Sequence, residues 1–249
     1  MAAYDFAAPR LFVEAPLLAG TPVPLDRAQA NYLVNVLRLR AGDAVLAFNG
    51  RDGEWRARLG TEGRRDVRLL PEVLARPQTP RPDLHYLFAP LKAARLDYMV
   101  QKATEMGAGV LRPVLTRRTQ AARVNLERMR ANLVEAAEQC GILAVPEVEP
   151  PLPLEAALRG LAPERLLVFC DEDAPVHDPV RALAGAGPAE GGLALVIGPE
   201  GGFDEAERAL LLARPRVVRL SLGPRILRAD TAAVAALALV QAVLGDGRG

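Results

Sequence analysis

Leu193-Ala194-Leu195-Val196-Ile197-Gly198-Pro199-Glu200-Gly201-Gly202-Phe203-Asp204 decides the fold. Five apolar residues lead into a Gly/Pro turn with two further glycines, and a charged, helix-compatible segment follows. The pattern predicts a buried strand, a tight loop rich in accessible backbone groups and a helix start. α/β proteins hold ligands with main-chain groups in that arrangement. Asp204 and Glu207 would supply the helix with an N-cap and its capping-box partner. The plain structural reading of the loop is a turn needing positive φ at glycine. Paired glycines after a proline and a glutamate exceed what a connection requires, so ligand binding is the preferred reading. The lysine and Ser/Thr of a P-loop do not follow, and the spacing is not GxGxxG.

A second element of the same kind lies downstream. Val217-Val218-Arg219-Leu220-Ser221-Leu222-Gly223-Pro224-Arg225-Ile226-Leu227-Arg228 reads as a strand, a Gly-Pro turn and the approach to a helix. Two such loops in one sheet can wall opposite sides of one pocket.

At 249 residues the chain accommodates one large domain or two modest ones. Half of it is hydrophobic and 24% charged, as in a globular protein. Met1 to Pro16 mixes Asp5, Arg10 and Glu14 into a short apolar pattern, unlike a secretory leader. The longest apolar run, Thr231 to Leu244, falls short of the roughly 20 residues that span a bilayer. A cytoplasmic protein without a membrane anchor is expected. Cys140 and Cys170 are far apart with no CxxC, which indicates neither a zinc site nor a disulfide framework. With only His85 and His177, and Ser221 the one serine, neither a Ser-His-Asp hydrolase nor a metal site is expected. The chemistry would then rely on a bound cofactor.

The net charge of +1 conceals an uneven distribution. Residues 76–130 hold eleven basic residues against four acidic, and residues 131–249 ten against seventeen. All basic residues but Lys92 and Lys102 are arginines, whose planar fork suits phosphate and base stacking. Arg112, Arg117, Arg118, Arg123, Arg128 and Arg130 cluster with Glu127 as the one acid among them. A solvated helix face is the plain reading of that cluster. Thr116-Arg117-Arg118-Thr119-Gln120, however, follows a strand end directly, and a basic strip beside a pocket suits RNA or DNA.

Residues 1 to about 72 read as short strands, Arg10–Val13, Ala44–Phe48, Glu54–Leu59 and Asp66–Leu70, with turns at Asn49-Gly50, Asp52-Gly53 and Glu62-Gly63. One helix, Arg27–Leu37, interrupts them, and a small β-barrel is expected. Pro77, Pro80 and Pro82 mark a linker. Strands then alternate with longer helices. The strands are expected at 84–90, 110–115, 166–171, 193–198 and 217–222, the helices at 93–106, 126–140, 205–213 and 229–244. Such alternation predicts a mainly parallel sheet with ligands beyond the carboxyl ends of its strands. In Ile226–Ala233, Asp230 and Thr231 could cap the last helix. Arg228 stands at a helix start, where the dipole disfavours a cation, which points to an anionic partner. Gln101, Lys102 and Glu105, and then Glu135, Glu138 and Gln139, are readable either as functional groups or as helix-stabilising pairs.

Ile197–Phe203 together with Leu222–Ala232 resembles the bacterial small-subunit ribosomal RNA uridine N3-methyltransferases of the SPOUT class. Gln101–Gly107, Ala137-Glu138-Gln139, and Val36-Leu37-Arg38 with Gly42-Asp43 extend the resemblance nearly end to end. Three departures stand out. Asp230 takes the place of the family's usual glutamate, Asn31 that of a common histidine, and the arginine usual after Glu138-Gln139 is absent.

The resemblance implies a PUA-like RNA-binding barrel (residues 1–72), a linker (73–82) and an α/β SPOUT domain (83–249) with a carboxyl-terminal trefoil knot. It implies S-adenosylmethionine as cofactor, held by Phe169, Ile197, Gly198, Pro199, Glu200, Gly201, Gly202, Leu220, Leu222, Gly223, Ile226, Leu227 and Thr231. Arg228 would be catalytic, with Glu200 or Asp230 accepting a proton or orienting Arg228. Arg10, Arg38, Arg112, Arg117, Arg118 and Arg123 would contact 16S ribosomal RNA in the small ribosomal subunit. A homodimer packed through the last helix is implied as well. The competing readings are a ribose 2′-O-methyltransferase of the same class and a non-catalytic RNA-binding module. A dinucleotide enzyme lacks the acidic ribose partner.

Overall fold

A computed structural model describes residues 8–61, 67–121 and 123–245. The first seven residues of the amino-terminal stretch, the turn read at Glu62-Gly63 and the strand start read at Asp66 lie outside the described residues. The chain divides into two compact units, residues 1–80 with 137–145 and residues 81–136 with 146–249.

The first unit holds β1 (Arg10–Phe12), β2 (Val23–Pro24), α1 (Arg27–Asn31), β3 (Ala44–Phe48), β4 (Glu54–Thr61) and β5 (Val67–Arg76). β3, β4 and β5 form an antiparallel meander, β1 adds to β3 in parallel and β2 adds to β5 antiparallel. Alternating residues of all five strands reach one core, which holds Leu11, Val23, Val45, Leu59 and Leu69, with Leu33 from the helical segment. Each fully buried Leu or Val there contributes about 1.5–3 kcal/mol.

The helix expected over Arg27–Leu37 is α-helical only to Asn31, and Tyr32–Val36 continue it as a π-helix. Asp26 and Gln29 close a capping box at its start, and Arg38 follows its end with φ 58. The strand expected to stop at Leu70 runs on to Arg76. Pro71 obscures it in the sequence, since it has no N–H for the ladder. The structure accommodates it where the β4–β5 register shifts, with Ala57 opposite Pro71.

The second unit holds β6 (Leu84–Phe88), α2 (Ala93–Glu105), β7 (Val110–Leu115), α3 (Leu126–Gln139, whose last residues from Ala137 belong to the first unit), β8 (Glu147–Val148), β9 (Leu152–Pro153), α4 (Leu154–Arg159), β10 (Leu166–Cys170), α5 (Pro179–Ala184), β11 (Leu193–Ile197), α6 (Glu205–Leu212), β12 (Val217–Leu220) and α7 (Ala229–Leu244). Its strands are all parallel, in the order β12-β10-β11-β6-β7-β8, with β9 pairing to β7. The expected α/β fold is therefore present. β11 is buried at every residue, as a central parallel strand covered on both faces must be. α7 lies against α2, α5 and β11. The short elements β8, β9, α4 and α5 escaped sequence reading because none is long enough to show a period.

Candidate active site

Strand order sets the geometry of the two Gly-Pro loops. β10 lies between β11 and β12, so the loops flank its carboxyl end from either side. There the chain places Asp171, whose side chain is only 1% exposed. Arg208 Nη1 of α6 reaches one carboxylate oxygen at 2.6 Å and Arg219 Nε of β12 reaches the other at 2.6 Å. One buried carboxylate thus ties together the strand end and the elements carrying both loops. Burial pushes the thiol of neighbouring Cys170 up to about 12, so it stays protonated and is no nucleophile at neutral pH.

The loop after β11 turns through a Gly202 N–H donated to the Pro199 carbonyl at 2.8 Å, with Gly202 at φ 69. A Cβ on Gly198 would lie 2.7 Å from the Phe203 ring, which itself packs edge-on against Phe169 at 5.5 Å. Asp204 and Glu207 form the capping box the sequence predicts. The Glu207 backbone N–H holds the Asp204 carboxyl below its ordinary pKa. The segment after β7 lies over this loop. Arg118 Nη1 donates to the Gly201 carbonyl at 2.5 Å, and the Arg117 N–H donates to Glu207 Oε1 at 2.7 Å.

After β12, buried Ser221 accepts the Gly223 N–H at 3.4 Å, with Gly223 at φ 95. Ile226 is 95% exposed, and Leu222 and Leu227 are half-buried. This loop therefore shows solvent both backbone groups and apolar side chains, a pairing suited to a flat heterocycle. Leu220 is buried and Thr231 exposed. Neither Asp230 nor Thr231 caps α7. Arg228 occupies the N-cap without a side-chain hydrogen bond, and Asp230 Oδ1 accepts the Thr231 N–H at 3.0 Å. Arg228 is exposed and has no side-chain partner among the described residues. Glu200 does not orient it, being paired instead with Arg95 Nη1 at 2.5 Å.

A cavity of about 220 Å³ opens beside this loop. Pro90, Leu91, Lys92 and Arg95 wall it from the β6–α2 turn, Gln120 and Ala121 from the loop after β7, and Pro199 and Glu200 from the loop after β11. The chain leaves β6 toward β7 but leaves β11 toward β12, on the far side of β10. The cavity stands at that divergence, the topological switch point where open α/β sheets bind ligands. Of the residues singled out in the sequence it gathers Pro199, Glu200 and Gln120. Lys92, Arg95, Asp171, Arg208 and Arg219 were missed. One signal pointed to Lys92, as one of two lysines in an arginine-rich chain.

Several other candidates are engaged elsewhere. Arg10 is the clearest correction: its side chain is 6% exposed and its Nε meets the fully buried Glu54 at 2.6 Å. Its remaining donors serve the carbonyls of Ala137, Glu138 and Ile142, and it lies over the Phe48 ring at 4.3 Å, so it has no fork to offer RNA. Arg112 pairs with Glu149. Glu138 accepts the Phe12 N–H at 2.8 Å, and Gln139 lines a groove of the first unit. Lys102 pairs with Glu105 at 2.7 Å, and Gln101 donates to Glu135 at 3.3 Å. Arg38 and Arg123 are exposed, and Arg117 is 80% exposed with Asp204 at 3.4 Å. Among the described residues no cluster of His, Cys, Asp or Glu could hold a metal, and no helix is long and apolar enough to cross a membrane.

A family model described as an RNA methyltransferase domain matches residues 77–241, and one described as an RNA methyltransferase PUA domain matches residues 25–72. Fold and site thus define an RNA methyltransferase. Ribosomal RNA small subunit methyltransferase E of Rickettsia conorii is 30% identical over 234 residues, 93% of this chain and 94% of the relative. The protein of the same name from Synechocystis is 34% identical over 240 residues, 94% of this chain and 78% of the relative. A crystal structure of ribosomal RNA small subunit methyltransferase E from Neisseria gonorrhoeae bound to S-adenosyl methionine matches with a TM-score of 0.81 at 27% identity, covering 96% of this chain and 99% of that one. The chain belongs to the ribosomal RNA small subunit methyltransferase E family.

Proposed function

We propose that the protein methylates N3 of a specific uridine in 16S ribosomal RNA of the small subunit, using S-adenosylmethionine, as a cytoplasmic homodimer. The observation that carries this reading is the pair of loops flanking the end of β10, within a chain of this family. Their glycines at 202 and 223 have positive φ, and a Cβ on either would meet nothing within 4 Å. With the exposed Ile226 beside them, that donor set fits an adenosyl group. On this reading Leu222, Ile226 and Leu227 hold adenine. Phe169, Ile197, Gly198, Pro199, Gly201, Gly202, Leu220, Gly223 and Thr231 form or support the remaining wall.

S-adenosylmethionine, held by the two Gly-Pro loops, would supply the methyl group from its sulfonium to N3, with the thioether as leaving group. N3 of uridine carries a proton at neutral pH, and Glu200, oriented by Arg95, accepts it. Arg228, a cation without a side-chain partner among the described residues, stabilises the negative charge that develops on the base. Asp230 holds the first turn of α7 beside it. The Watson–Crick edge is reacting, so the uridine enters unpaired. The first unit, with β5 running through Arg76, binds RNA, and the second unit catalyses, with the carboxyl-terminal segment threaded as a trefoil knot and α7 at the dimer interface. Arg38, Arg117, Arg118 and Arg123 contact the RNA backbone.

The test is methyl transfer from labelled S-adenosylmethionine to small subunits lacking their native modifications, with the product nucleoside identified by mass spectrometry. N3-methyluridine is expected. A ribose-methylated product would replace the acceptor atom. Absence of both transfer and cofactor binding would leave an RNA-binding module.

A further inference from the structure

We infer that the cavity between the β6–α2 turn, Gln120 and Glu200 is the acceptor-nucleotide subsite, with Lys92 holding a phosphate and Gln120 reading the pyrimidine edge. This rests on the reading that the protein methylates a uridine. Four observations support it. The cavity adjoins the cofactor-binding loop, because Pro199 and Glu200 belong to both. At about 220 Å³ it is smaller than the roughly 300–1,000 Å³ of sites for drug-sized ligands, a size suited to a single base. Its apolar lining of Pro90, Leu91, Ala121 and Pro199 offers surface for a base face, while Lys92 and Gln120 supply a cation and an amide. Neither of those two side chains has a partner among the described residues, whereas the other two charged groups, Arg95 and Glu200, neutralise each other at 2.5 Å.

The chemistry sorts the roles. An ammonium is a point charge suited to phosphate. A carboxamide carries a donor and an acceptor side by side: with its Nε2–H turned to the base, Gln120 donates to O4 of uracil, and it would have to turn its oxygen inward to accept from the amino group of cytosine. Uracil specificity is thereby assigned to Gln120 and attachment to Lys92.

A chemical-shift titration of the full chain with uridine 5′-monophosphate, uridine and cytidine 5′-monophosphate tests this, with S-adenosylmethionine affinity measured separately by calorimetry. Uridine 5′-monophosphate is expected to shift the amides of Leu91–Arg95, Gln120, Ala121 and Glu200. Lys92→Ala should remove the preference for the monophosphate over the nucleoside. Gln120→Leu should reduce the preference for uridine over cytidine 5′-monophosphate by about tenfold, the scale of one lost edge contact. Both variants should keep the cofactor affinity and melting temperature of the parent. Undisturbed amides, or preferences that persist in the variants, would overturn the assignment. A cofactor affinity lowered in either variant would also overturn it, by giving the cavity to the cofactor. If the parent chain binds nucleotide here but no S-adenosylmethionine, the methyltransferase reading fails while the subsite stands.

Discussion

Asp171 and Arg208 meet at 2.6 Å, joining the carboxyl end of β10 to α6. Because Arg219 takes the second oxygen of the same carboxylate, Asp171 fixes the separation of the loops after β11 and β12. Removing the charge leaves two guanidinium groups facing each other, each with its side chain about a quarter exposed. Breaking a buried pair from one side costs several kcal/mol, and partial exposure of the arginines lowers that here to about 2–3 kcal/mol. Asp171→Asn should shift the urea midpoint by that amount and weaken S-adenosylmethionine binding together with it. Unchanged cofactor affinity in a destabilised variant would mean that the loops hold their spacing without the carboxylate.

The glycines of the first loop are not equivalent. A Cβ on Gly198 would sit 2.7 Å from the Phe203 ring, which is pinned by Phe169, whereas one on Gly201 would meet the Arg118 Cδ at 3.3 Å. A half-buried ring held edge-on by Phe169 has little room to yield, whereas the far part of an arginine has more. Gly198→Ala should therefore lower cofactor affinity at least about tenfold, with Gly201→Ala closer to the parent. Calorimetric titration of both variants with S-adenosylmethionine checks the order.

Both Gly-Pro loops, the Asp204–Glu207 cap and the parallel sheet were legible because each is a local pattern: apolar run, turn residues, helix start. The position of β10 between the two loops was not legible, since strand order is a non-local property. The Asp171 cage was hidden for the same reason, its arginines lying 37 and 48 residues away. The cavity draws on three separate loops, and beyond its glycine-rich wall the sequence marked only Gln120, in the basic strip, and Lys92, as one of two lysines. Arginine clustering misled at Arg112, and the resemblance misled at Arg10, because neither distinguishes a cation facing solvent from one bonded to Glu149 or Glu54.

Arg10 yields a prediction with the opposite sense to an RNA contact. Its partner Glu54 is fully buried and shared with Arg76 Nε at 2.7 Å. Arg10→Ala should destabilise the protein by about 3 kcal/mol, by leaving a buried carboxylate short of one cation. Arg38→Ala and Arg123→Ala should leave the urea midpoint alone and flatten the salt dependence of RNA binding. Denaturation curves beside filter-binding at two salt concentrations separate the two kinds of arginine.

His85 contributes to the acid limb of stability. Burial, reinforced by Arg165, lowers its pKa below the ordinary 6.5, so the folded chain keeps the imidazole neutral where the unfolded chain protonates it. The unfolded state then binds more protons, and stability must fall as pH drops through about 6.5. His85→Gln should flatten the stability profile between roughly pH 5 and 7, as measured by urea midpoints across that range. An unaltered slope would place the titrating group elsewhere.

Arg228 is the strongest test of the chemistry, because its position offers the fold so little. It caps α7 without a side-chain bond and places a cation at the positive end of the helix. Arg228→Ala should consequently leave stability unchanged or raise it by about 0.3–1 kcal/mol, the scale of a removed dipole clash. If the guanidinium stabilises charge on the base, turnover should fall about 10²–10³-fold, as for loss of one preorganised donor. S-adenosylmethionine affinity should stay near that of the parent, and Arg228→Lys should restore part of the rate by keeping the charge without the fork. Single-turnover methylation of small subunits, with calorimetry for the cofactor, separates these effects. A variant that turns over normally would remove Arg228 from the mechanism and leave Lys92 and Arg95 as the cations nearest the reacting base.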